Sequence, residues 1–197
     1  MIRLIGVYDY TVILTYISLL FSLSGMLLAS KGHHGMALNC LVCAGLCDGF
    51  DGRVARSKKN RTEMEKSFGI QLDSLCDVIS FGVFPAFWCY CVGVDGVIGL
   101  ICLFFYCLCA VIRLAFFNVV EEERQKTEGG SNKYYRGLPV TTASMILPLL
   151  GLLRPVLSAS NFALLLHFNL AITGFLFILD FSVKKLDLGR LIPTRKH

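Results

Sequence analysis

Charge is scarce in this sequence: only 17% of its 197 residues are Asp, Glu, Lys or Arg, whereas 55% are hydrophobic. This balance, with a mean hydropathy of +0.64, excludes an ordinary soluble domain of this size. A continuous basic face is also missing, because the net charge of +5 comes from short segments between apolar runs. We therefore expect no nucleic-acid partner and favour contact with the anionic headgroups of membrane lipids. There is no convincing internal repeat or low-complexity tract.

Polar neighbours are missing around most of the nine cysteines. Thiols inside apolar runs behave as small hydrophobic groups, so we expect no disulfide framework. Cys40, Cys43 and Cys47 have a helical spacing that would permit zinc binding, but core packing is the better interpretation because nothing polar surrounds them. His33 and His34 are interpreted as loop residues, since no further ligand lies nearby in the sequence.

Six apolar stretches account for most of the chain. About 20 apolar residues cross the hydrocarbon core of a bilayer, and a span exposed to lipid must be helical to satisfy its own backbone hydrogen bonds. The predicted fold class is therefore all-α, a polytopic membrane bundle of six transmembrane helices in one domain over residues 1–197. The spans are placed at 11–30, 36–56, 68–93, 96–118, 139–157 and 161–181.

The connections between these spans alternate in charge. Segments 57–66 and 121–136 carry four cations each and the tail 184–197 carries five, whereas the other connections carry few. The positive-inside bias then places both termini and the basic connections in the cytoplasm, which is an N-in, C-in topology in the cell (plasma) membrane. Residues 121–133 are expected to be a solvated linker, and the tail is expected to lie along the membrane surface.

Four aspartates stand out against this apolar background. Asp48 and Asp51 follow a dozen mostly apolar residues, and Asp73 and Asp77 lie near the start of the next long apolar run. Such carboxylates are costly unless they face a polar cavity and find cations. Residues three or four apart share one face of a helix, so two antiparallel helices joined by a basic loop would bring both pairs together at the cytoplasmic end. Up to eight carboxylate oxygens suit one or two hard ions such as Mg²⁺ or Mn²⁺.

The residues around the aspartates leave two interpretations. Gly52, Ala55 and Gly69 have small side chains that would let a bulky ligand approach the backbone. Arg53 and Arg56 could pair with the carboxylates or with phosphate. The alternative, an ion-paired helix junction without chemistry, is less favoured because four acids exceed what two arginines would need.

The spacing of these residues resembles the signature of the CDP-alcohol phosphotransferases, in which Asp-x-x-Asp-Gly-x-x-Ala-Arg is followed by Gly-x-x-x-Asp-x-x-x-Asp. The runs DVISFGV (77–83), RLAFFN (113–118) and YRGLP (135–139) resemble the phosphatidylserine synthase branch of that family. Two departures stand out. Twelve residues separate Arg56 from Gly69, about one helical turn more than is usual, and Val12 and Thr15 occupy positions where relatives often carry Asn-x-x-Thr. The matching positions are Asp48, Asp51, Gly52, Ala55, Arg56, Gly69, Asp73 and Asp77.

The resemblance implies an enzyme that transfers the phosphatidyl group of CDP-diacylglycerol to the hydroxyl of L-serine and releases CMP. It implies a pair of Mg²⁺ or Mn²⁺ ions, with Asp77 also acting as the general base, and a homodimer. The metal ligands would be Asp48, Asp51, Asp73 and Asp77. The CDP-lipid would contact Thr15, Gly52, Ala55, Arg56, Gly69 and Asp73. Serine would contact Ser80, Arg113, Asn118 and Arg136, although the two arginines suit headgroup contact and topology equally well.

Two other functions stay open at this point. A family member with another substrate would use glycerol 3-phosphate or inositol phosphate as the acceptor, or an archaeal-type lipid as the donor. A divalent-cation transporter would also place carboxylates inside the membrane. It is less favoured because the acids cluster toward the basic ends of two helices instead of the bilayer midplane.

Overall fold

The long apolar runs fold into a bundle of helices, joined by one short antiparallel ribbon. The computed structural model describes residues 6–58, 62–127 and 134–184. A π-helical segment, Val78–Val83, joins α3 to α4, so that residues 63–92 form one continuous helix. Single 3-10 turns, Tyr10–Val12 and Val140–Thr142, lead into α1 and α6. The elements are α1 (Ile13–Ser30), α2 (His34–Ser57), α3 (Glu63–Asp77), α4 (Phe84–Val92), α5 (Gly96–Thr127), β1 (Tyr134–Arg136), α6 (Ala143–Gly151), α7 (Ala159–Ile178) and β2 (Ser182–Lys184).

Side-chain caps mark where several of these helices begin. The Asp9 carboxylate accepts a hydrogen bond from the Thr11 backbone N–H at 2.7 Å ahead of α1. Thr62 and Glu65 form a reciprocal capping box at the start of α3, and the Ser158 hydroxyl accepts from the backbone N–H of Asn161 ahead of α7. Each cap satisfies N–H groups that the first helical turn leaves without an intrahelical acceptor.

Within the described residues, four helical stretches are long and apolar enough to cross a membrane: Tyr10–Ser30, Glu63–Val92, Gly96–Glu122 and Ala159–Ile178. The helix Val140–Gly151 is apolar but shorter, and α2 has 24 residues but carries charged residues from Asp48 onward. Apolar side chains are exposed on their outer surfaces: Val97 and Ile98 of α5, for example, are 76% and 72% exposed. The helical membrane protein predicted from the sequence is therefore confirmed, with four spans supported by length and composition.

The element boundaries differ from the predicted spans in three places. Helix α3 begins at Glu63 instead of 68, because the capping box starts the helix within the charged segment. Helix α5 continues to Thr127, so the interpretation of 121–127 as a linker is wrong; charged side chains are compatible with an exposed helical end. The span expected at 139–157 contains a helix of only nine residues, α6, with Pro148 inside it. Residues 128–133 and most of the predicted surface tail, 185–197, lie outside the described residues.

Close packing of small side chains holds α1 against α2. The buried positions of α1 follow the helical repeat and carry only small side chains, and α1 makes its most extensive contact with α2. Between membrane helices, small residues and hydrogen bonds supply the attraction that the hydrophobic effect does not. The Ser18 hydroxyl donates to the backbone carbonyl of Ala44 across this interface at 3.2 Å. The buried positions of α1 are Thr15, Ser18, Ser22, Gly25 and Ala29.

The ribbon joins the segment before α6 to the segment after α7. Strand β1 pairs antiparallel with β2, with Tyr135 opposite Val183. Gly137 extends the pairing, since its N–H donates to the carbonyl of Phe181 at 2.7 Å. Gly137 has a φ of 67°, and a Cβ added there would lie 2.9 Å from the carbonyl oxygen of Leu179, so the turn requires glycine. This ribbon was not predicted, because its two strands are each three residues long and lie far apart in the chain.

Candidate active site

The four aspartates singled out in the sequence meet in one place. Asp48 and Asp51 lie one turn apart near the end of α2, and Asp73 and Asp77 lie one turn apart near the end of α3. Asp48, Asp73 and Asp77 each contribute one carboxylate oxygen, and these three oxygens all lie within 4.8 Å of one another. Asp51 lies one turn of α2 after Asp48, so it belongs to the same face of that helix. The predicted convergence of the two pairs is therefore observed.

Thr15 connects the first helix to this aspartate cluster, which consists of Asp48, Asp51, Asp73 and Asp77. Its hydroxyl lies 3.5 Å from the carboxylate of Asp51, at the limit of a hydrogen bond, and both side chains are buried. Thr15 thus lies beside the cluster, and its contact with the CDP-lipid stays a prediction. Gly52 directly follows Asp51 on α2 and Gly69 precedes Asp73 by one turn of α3, so both small residues adjoin the cluster.

The cluster has the chemistry of a site for a hard divalent cation. Among the side chains that the structure describes, no lysine or arginine forms an ion pair with Asp48, Asp73 or Asp77. Gathering carboxylates in an apolar bundle is unfavourable without a compensating positive charge. A donor set made only of carboxylate oxygens fits Mg²⁺ or Mn²⁺ better than softer metals. The side chains of Arg53, Ala55 and Arg56 lie outside the described part of the chain, although their backbones belong to α2.

The π-helical segment that follows Asp77 is fixed by hydrogen bonds from two other helices. The Tyr106 hydroxyl of α5 donates to the carbonyl of Phe81 at 2.7 Å, and the Ser22 hydroxyl of α1 donates to the Ser80 hydroxyl at 2.8 Å. A π-helical turn leaves the regular i to i−4 pattern, so its carbonyl groups benefit from such donors. Ser80, a predicted serine contact, is fully buried and is one of the residues that hold the segment next to Asp77.

A chain of amide and hydroxyl groups ties α3 to α5 beside the cluster. The Ser74 hydroxyl donates to the Asn118 side-chain carbonyl at 2.8 Å, and the Asn118 amide donates to Gln71 at 3.3 Å. Gln71 in turn donates to Glu122 at 3.2 Å. Ser74 lies between Asp73 and Asp77 in the sequence, and Asn118 is buried. Sequence reasoning singled out Asn118 but missed Ser74, Gln71 and Glu122, which are ordinary helix-surface residue types.

Arg113 lies on α5, five positions before Asn118. It borders a cavity of about 200 Å³ whose lining includes Phe116, Phe177 and Asp180 but none of the four aspartates. Its guanidinium approaches the backbone of Gly137 closely, since a Cβ added to that glycine would lie 2.9 Å from Nη1. The backbone of Arg136 therefore lies near Arg113, while the Arg136 side chain is outside the described part of the chain.

Lys58 forms two ion pairs that the sequence did not reveal. They join the segment before α1 to the connection between α2 and α3. Lys58 Nζ lies 2.9 Å from the Asp9 carboxylate and 3.0 Å from that of Glu65. Hydrogen bonds from the Thr11 hydroxyl and from Lys58 lower the pKa of Asp9 to about 2. This group holds the start of α1, the end of α2 and the start of α3 together at the aspartate end of the bundle.

The cysteines and histidines form no comparable metal group within residues 6–58, 62–127 and 134–184. The one cluster of acidic, histidine or cysteine side chains found there with metal-binding spacing is that of the aspartates. All nine cysteines are free thiols, and Cys40, Cys43 and Cys47 are half-buried along α2. His34 is the first residue of α2 instead of a loop residue.

Comparison with known proteins gives a family match over most of the chain. The family model described as CDP-alcohol phosphatidyltransferase matches residues 10–179, which include the whole aspartate cluster, the π-helical segment and helices α1 to α7.

Several characterised relatives are similar in sequence. A CDP-diacylglycerol–serine O-phosphatidyltransferase of Saccharomyces cerevisiae is 36% identical over 153 residues, 75% of this chain and 54% of the relative. An archaetidylserine synthase of Methanothermobacter thermautotrophicus is 39% identical over 131 residues, 66% of this chain and 49% of the relative. A CDP-diacylglycerol–serine O-phosphatidyltransferase of Helicobacter pylori is 33% identical over 148 residues, 74% of this chain and 58% of the relative. The chain thus spans about half the length of the relatives it matches.

Proposed function

Because this chain belongs to the CDP-alcohol phosphatidyltransferase family, we propose that it transfers the phosphatidyl group of CDP-diacylglycerol to L-serine and releases CMP. The observation that carries the proposal is the meeting of Asp48, Asp73 and Asp77 within 4.8 Å, with Asp51 alongside. The choice of serine is supported by the names of the relatives, which share serine as the acceptor although the lipid differs.

In this proposal the aspartate cluster holds one or two divalent cations, Mg²⁺ or Mn²⁺. Asp48, Asp51, Asp73 and Asp77 are the ligands, because their carboxylate oxygens already adjoin one another and suit a hard cation. When bound, such ions neutralise the negative charge of the pyrophosphate and of the leaving phosphate oxygen.

Asp77 is proposed to act as the general base. Its carboxylate would accept the proton of the serine hydroxyl while the hydroxyl oxygen attacks the phosphorus atom next to diacylglycerol and the bond to CMP breaks. A carboxylate is a weak base for an alcohol, so we expect the proton to transfer late in the reaction. The π-helical segment after Asp77, held by Tyr106 and Ser22, would keep this carboxylate in place, which is how a rigid scaffold lowers the cost of orientation.

The CDP-lipid is proposed to bind across the ends of α1, α2 and α3. Thr15 of α1 and Asp73 of α3 would contact the CDP-lipid. Gly52 and Gly69 would let its nucleotide approach the backbones of α2 and α3. Ala55 and Arg56, on the next turn of α2, are proposed to complete this site; the arginine fork suits a phosphate oxygen pair.

The serine carboxylate is proposed to bind near Arg113 and Arg136. The ribbon and the Gly137 turn bring the backbone of residue 136 close to the Arg113 guanidinium, so two cations would be available for one carboxylate. Ser80 and Asn118, the other predicted contacts, hydrogen-bond to Ser22 and Ser74. They are better suited to positioning the helices that carry the aspartates than to a direct serine contact.

The placement in the membrane is proposed on the same basis. The cluster lies toward the basic connections 57–66 and 121–136, so we propose that it faces the cytoplasm from the cell membrane, with six spans and both termini inside. A single catalytic domain and a homodimer are proposed from the family resemblance.

The test is CMP release from CDP-diacylglycerol by the purified chain in detergent. We expect release to require Mg²⁺ or Mn²⁺ and L-serine, with glycerol 3-phosphate and inositol phosphate giving little product. Asp77→Asn should still bind the CDP-lipid while CMP release falls by at least about 100-fold. Asp95→Asn, at an exposed aspartate in the connection between α4 and α5, is the matched control and should keep full activity. Equal release with every acceptor would refute serine as the substrate, and near-normal turnover of Asp77→Asn would refute its role as base.

A further inference from the structure

A second cavity lies at the end of the bundle opposite the aspartate cluster. It has a volume of about 410 Å³ and lies between the start of α2, the middle of α4 and the end of α6. Its walls combine apolar side chains, Leu38, Trp88 and Pro155, with two nitrogen-bearing side chains, His34 and Arg154. No carboxylate contributes to this lining. The cavity therefore offers hydrogen-bond donors and positive charge beside apolar surface.

His34 presents a ring nitrogen that lacks a partner within the described part of the chain. Its Nδ1 is buried and has no hydrogen-bond partner there. The residue itself is well fixed, since the Trp88 indole N–H donates to the His34 carbonyl at 3.1 Å and the two rings meet edge to face. A buried polar nitrogen without a partner is uncommon in folded proteins and calls for a ligand or an ordered water. When protonated, Nδ1 is a donor that a ligand oxygen would satisfy.

Arg154 supplies the charge at this cavity. Its side chain is exposed, and none of the carboxylates that the structure describes forms an ion pair with it. Arg154 and His34 line the same cavity. The cavity is lined by a guanidinium and an imidazole, and no carboxylate lies among its lining residues. Such a lining favours the binding of an anion. The planar fork of arginine matches the paired oxygens of a phosphate group.

The position of the cavity favours a ligand in which the anionic group is attached to a hydrocarbon chain. Asp48 lies fourteen positions after His34 on α2, which corresponds to about 21 Å along a helix axis. The cavity is thus a separate site near the other boundary of the membrane. Exposed apolar side chains lie next to its lining residues in the sequence, including Met36, Leu152 and Val156. A membrane phospholipid would place its phosphate on Arg154 and His34 and its acyl chains along this apolar surface.

We propose that this cavity binds the phosphate of one phospholipid molecule from the leaflet opposite the aspartate cluster. The bound lipid would tie the ends of α2, α4 and α6 together and would be neither substrate nor product of the proposed transfer.

The single tryptophan of the chain makes this proposal measurable, because Trp88 lines the cavity. Bromine atoms on acyl chains quench tryptophan fluorescence at short range. The delipidated protein in detergent is titrated with phosphatidylglycerol carrying brominated acyl chains, with brominated diacylglycerol that has the same chains but no phosphate, and with inorganic phosphate as a competitor. The same titrations are made on Arg154→Gln, on His34→Phe, and on Lys31→Gln, which removes an exposed cation of the α1–α2 connection outside the cavity lining.

We expect saturable quenching by brominated phosphatidylglycerol, a midpoint raised about tenfold or more in Arg154→Gln and His34→Phe, and an unchanged midpoint in Lys31→Gln. Equal quenching by brominated diacylglycerol would show recognition of acyl chains alone and would overturn the proposal. Full competition by inorganic phosphate at the concentration of the lipid would assign the cavity to free phosphate instead. An equal rise of the midpoint in Lys31→Gln would show that general surface charge causes the effect, and it would overturn the proposal. None of these readouts uses CMP release, so they are independent of the proposed enzymatic activity.

Discussion

Replacement of Asn118 by alanine is expected to loosen α3 and thereby to misplace Asp73 and Asp77. Asn118 accepts from Ser74 at 2.8 Å and donates to Gln71 at 3.3 Å, and it is 9% exposed. A hydrogen bond of this kind contributes about 0.5–1.5 kcal/mol, and a buried partner left unsatisfied costs about 1–3 kcal/mol. Gln71 is exposed and regains water, so the loss comes mainly from Ser74. We expect a destabilisation of about 1–3 kcal/mol.

The hydrogen bond itself is isolated by a double-mutant cycle. Ser74→Ala, Asn118→Ala and the double variant are compared by unfolding in a denaturing detergent. We expect a coupling energy of about 1 kcal/mol between the two positions. The matched control is Asn169→Ala, because the side-chain oxygen of Asn169 accepts from Thr173, one turn away in the same helix, and Asn169 should show no coupling with Ser74.

The kinetics distinguish positioning from substrate contact. If Asn118 positions α3, Asn118→Ala lowers kcat for CMP release at least about tenfold, because small misplacements of catalytic groups are costly, and it changes the KM for serine little. A raised KM for serine with unchanged kcat, and no coupling to Ser74, would refute the positioning role and would place Asn118 in contact with serine.

Three further changes test the bundle around the site. Tyr106→Phe leaves a buried carbonyl of the π-helical segment without its donor, so we expect a loss of about 1–3 kcal/mol in stability, measured by unfolding in detergent. Gly137→Ala should lower the thermal midpoint more than Gly32→Ala does, because both glycines have positive φ but only Gly137 is crowded; equal losses would contradict this. The pKa of Asp9 is about 2, below its usual 3.8, mainly through the Thr11 hydroxyl. The Asp9 carboxylate therefore stabilises the folded state fully above pH 3.8. The difference in unfolding free energy between the native chain and Asp9→Asn should disappear as the pH falls through about 2.

The aspartate cluster was predictable because its geometry follows from local rules. Spacings of three and four residues put each pair of carboxylates on one helix face, and a short connection joins α2 to α3. The same periodicity located the helices, since lipid-exposed backbone has no alternative in the hydrocarbon region. Thr15 was added by resemblance, and the structure places it against Asp51.

The features that were missed depend on contacts between distant parts of the chain. Hydropathy does not distinguish a π-helical turn from an α-helical one, so the segment after Asp77 was read as ordinary helix. The ribbon pairs residues 134–136 with residues 182–184, a separation that no local pattern reveals. The hydrogen bonds of Asn118 to Ser74 and Gln71 were likewise not foreseen, because they join α5 to α3; its contact with serine stays a prediction. Sequence indicates which polar residues are unusual, and only the fold shows which neighbour each one has.

The central claim, that four aspartates share a divalent cation, is tested most directly by equilibrium binding of Mn²⁺ followed by electron paramagnetic resonance. The purified chain is expected to bind Mn²⁺ without any lipid present, and Asp48→Asn or Asp73→Asn should each weaken binding at least about tenfold, since each removes a charged oxygen ligand. Asp95→Asn should leave binding unchanged. Mn²⁺ binding that is absent from the native chain, or that is unaffected by both substitutions in the cluster, would contradict the claim.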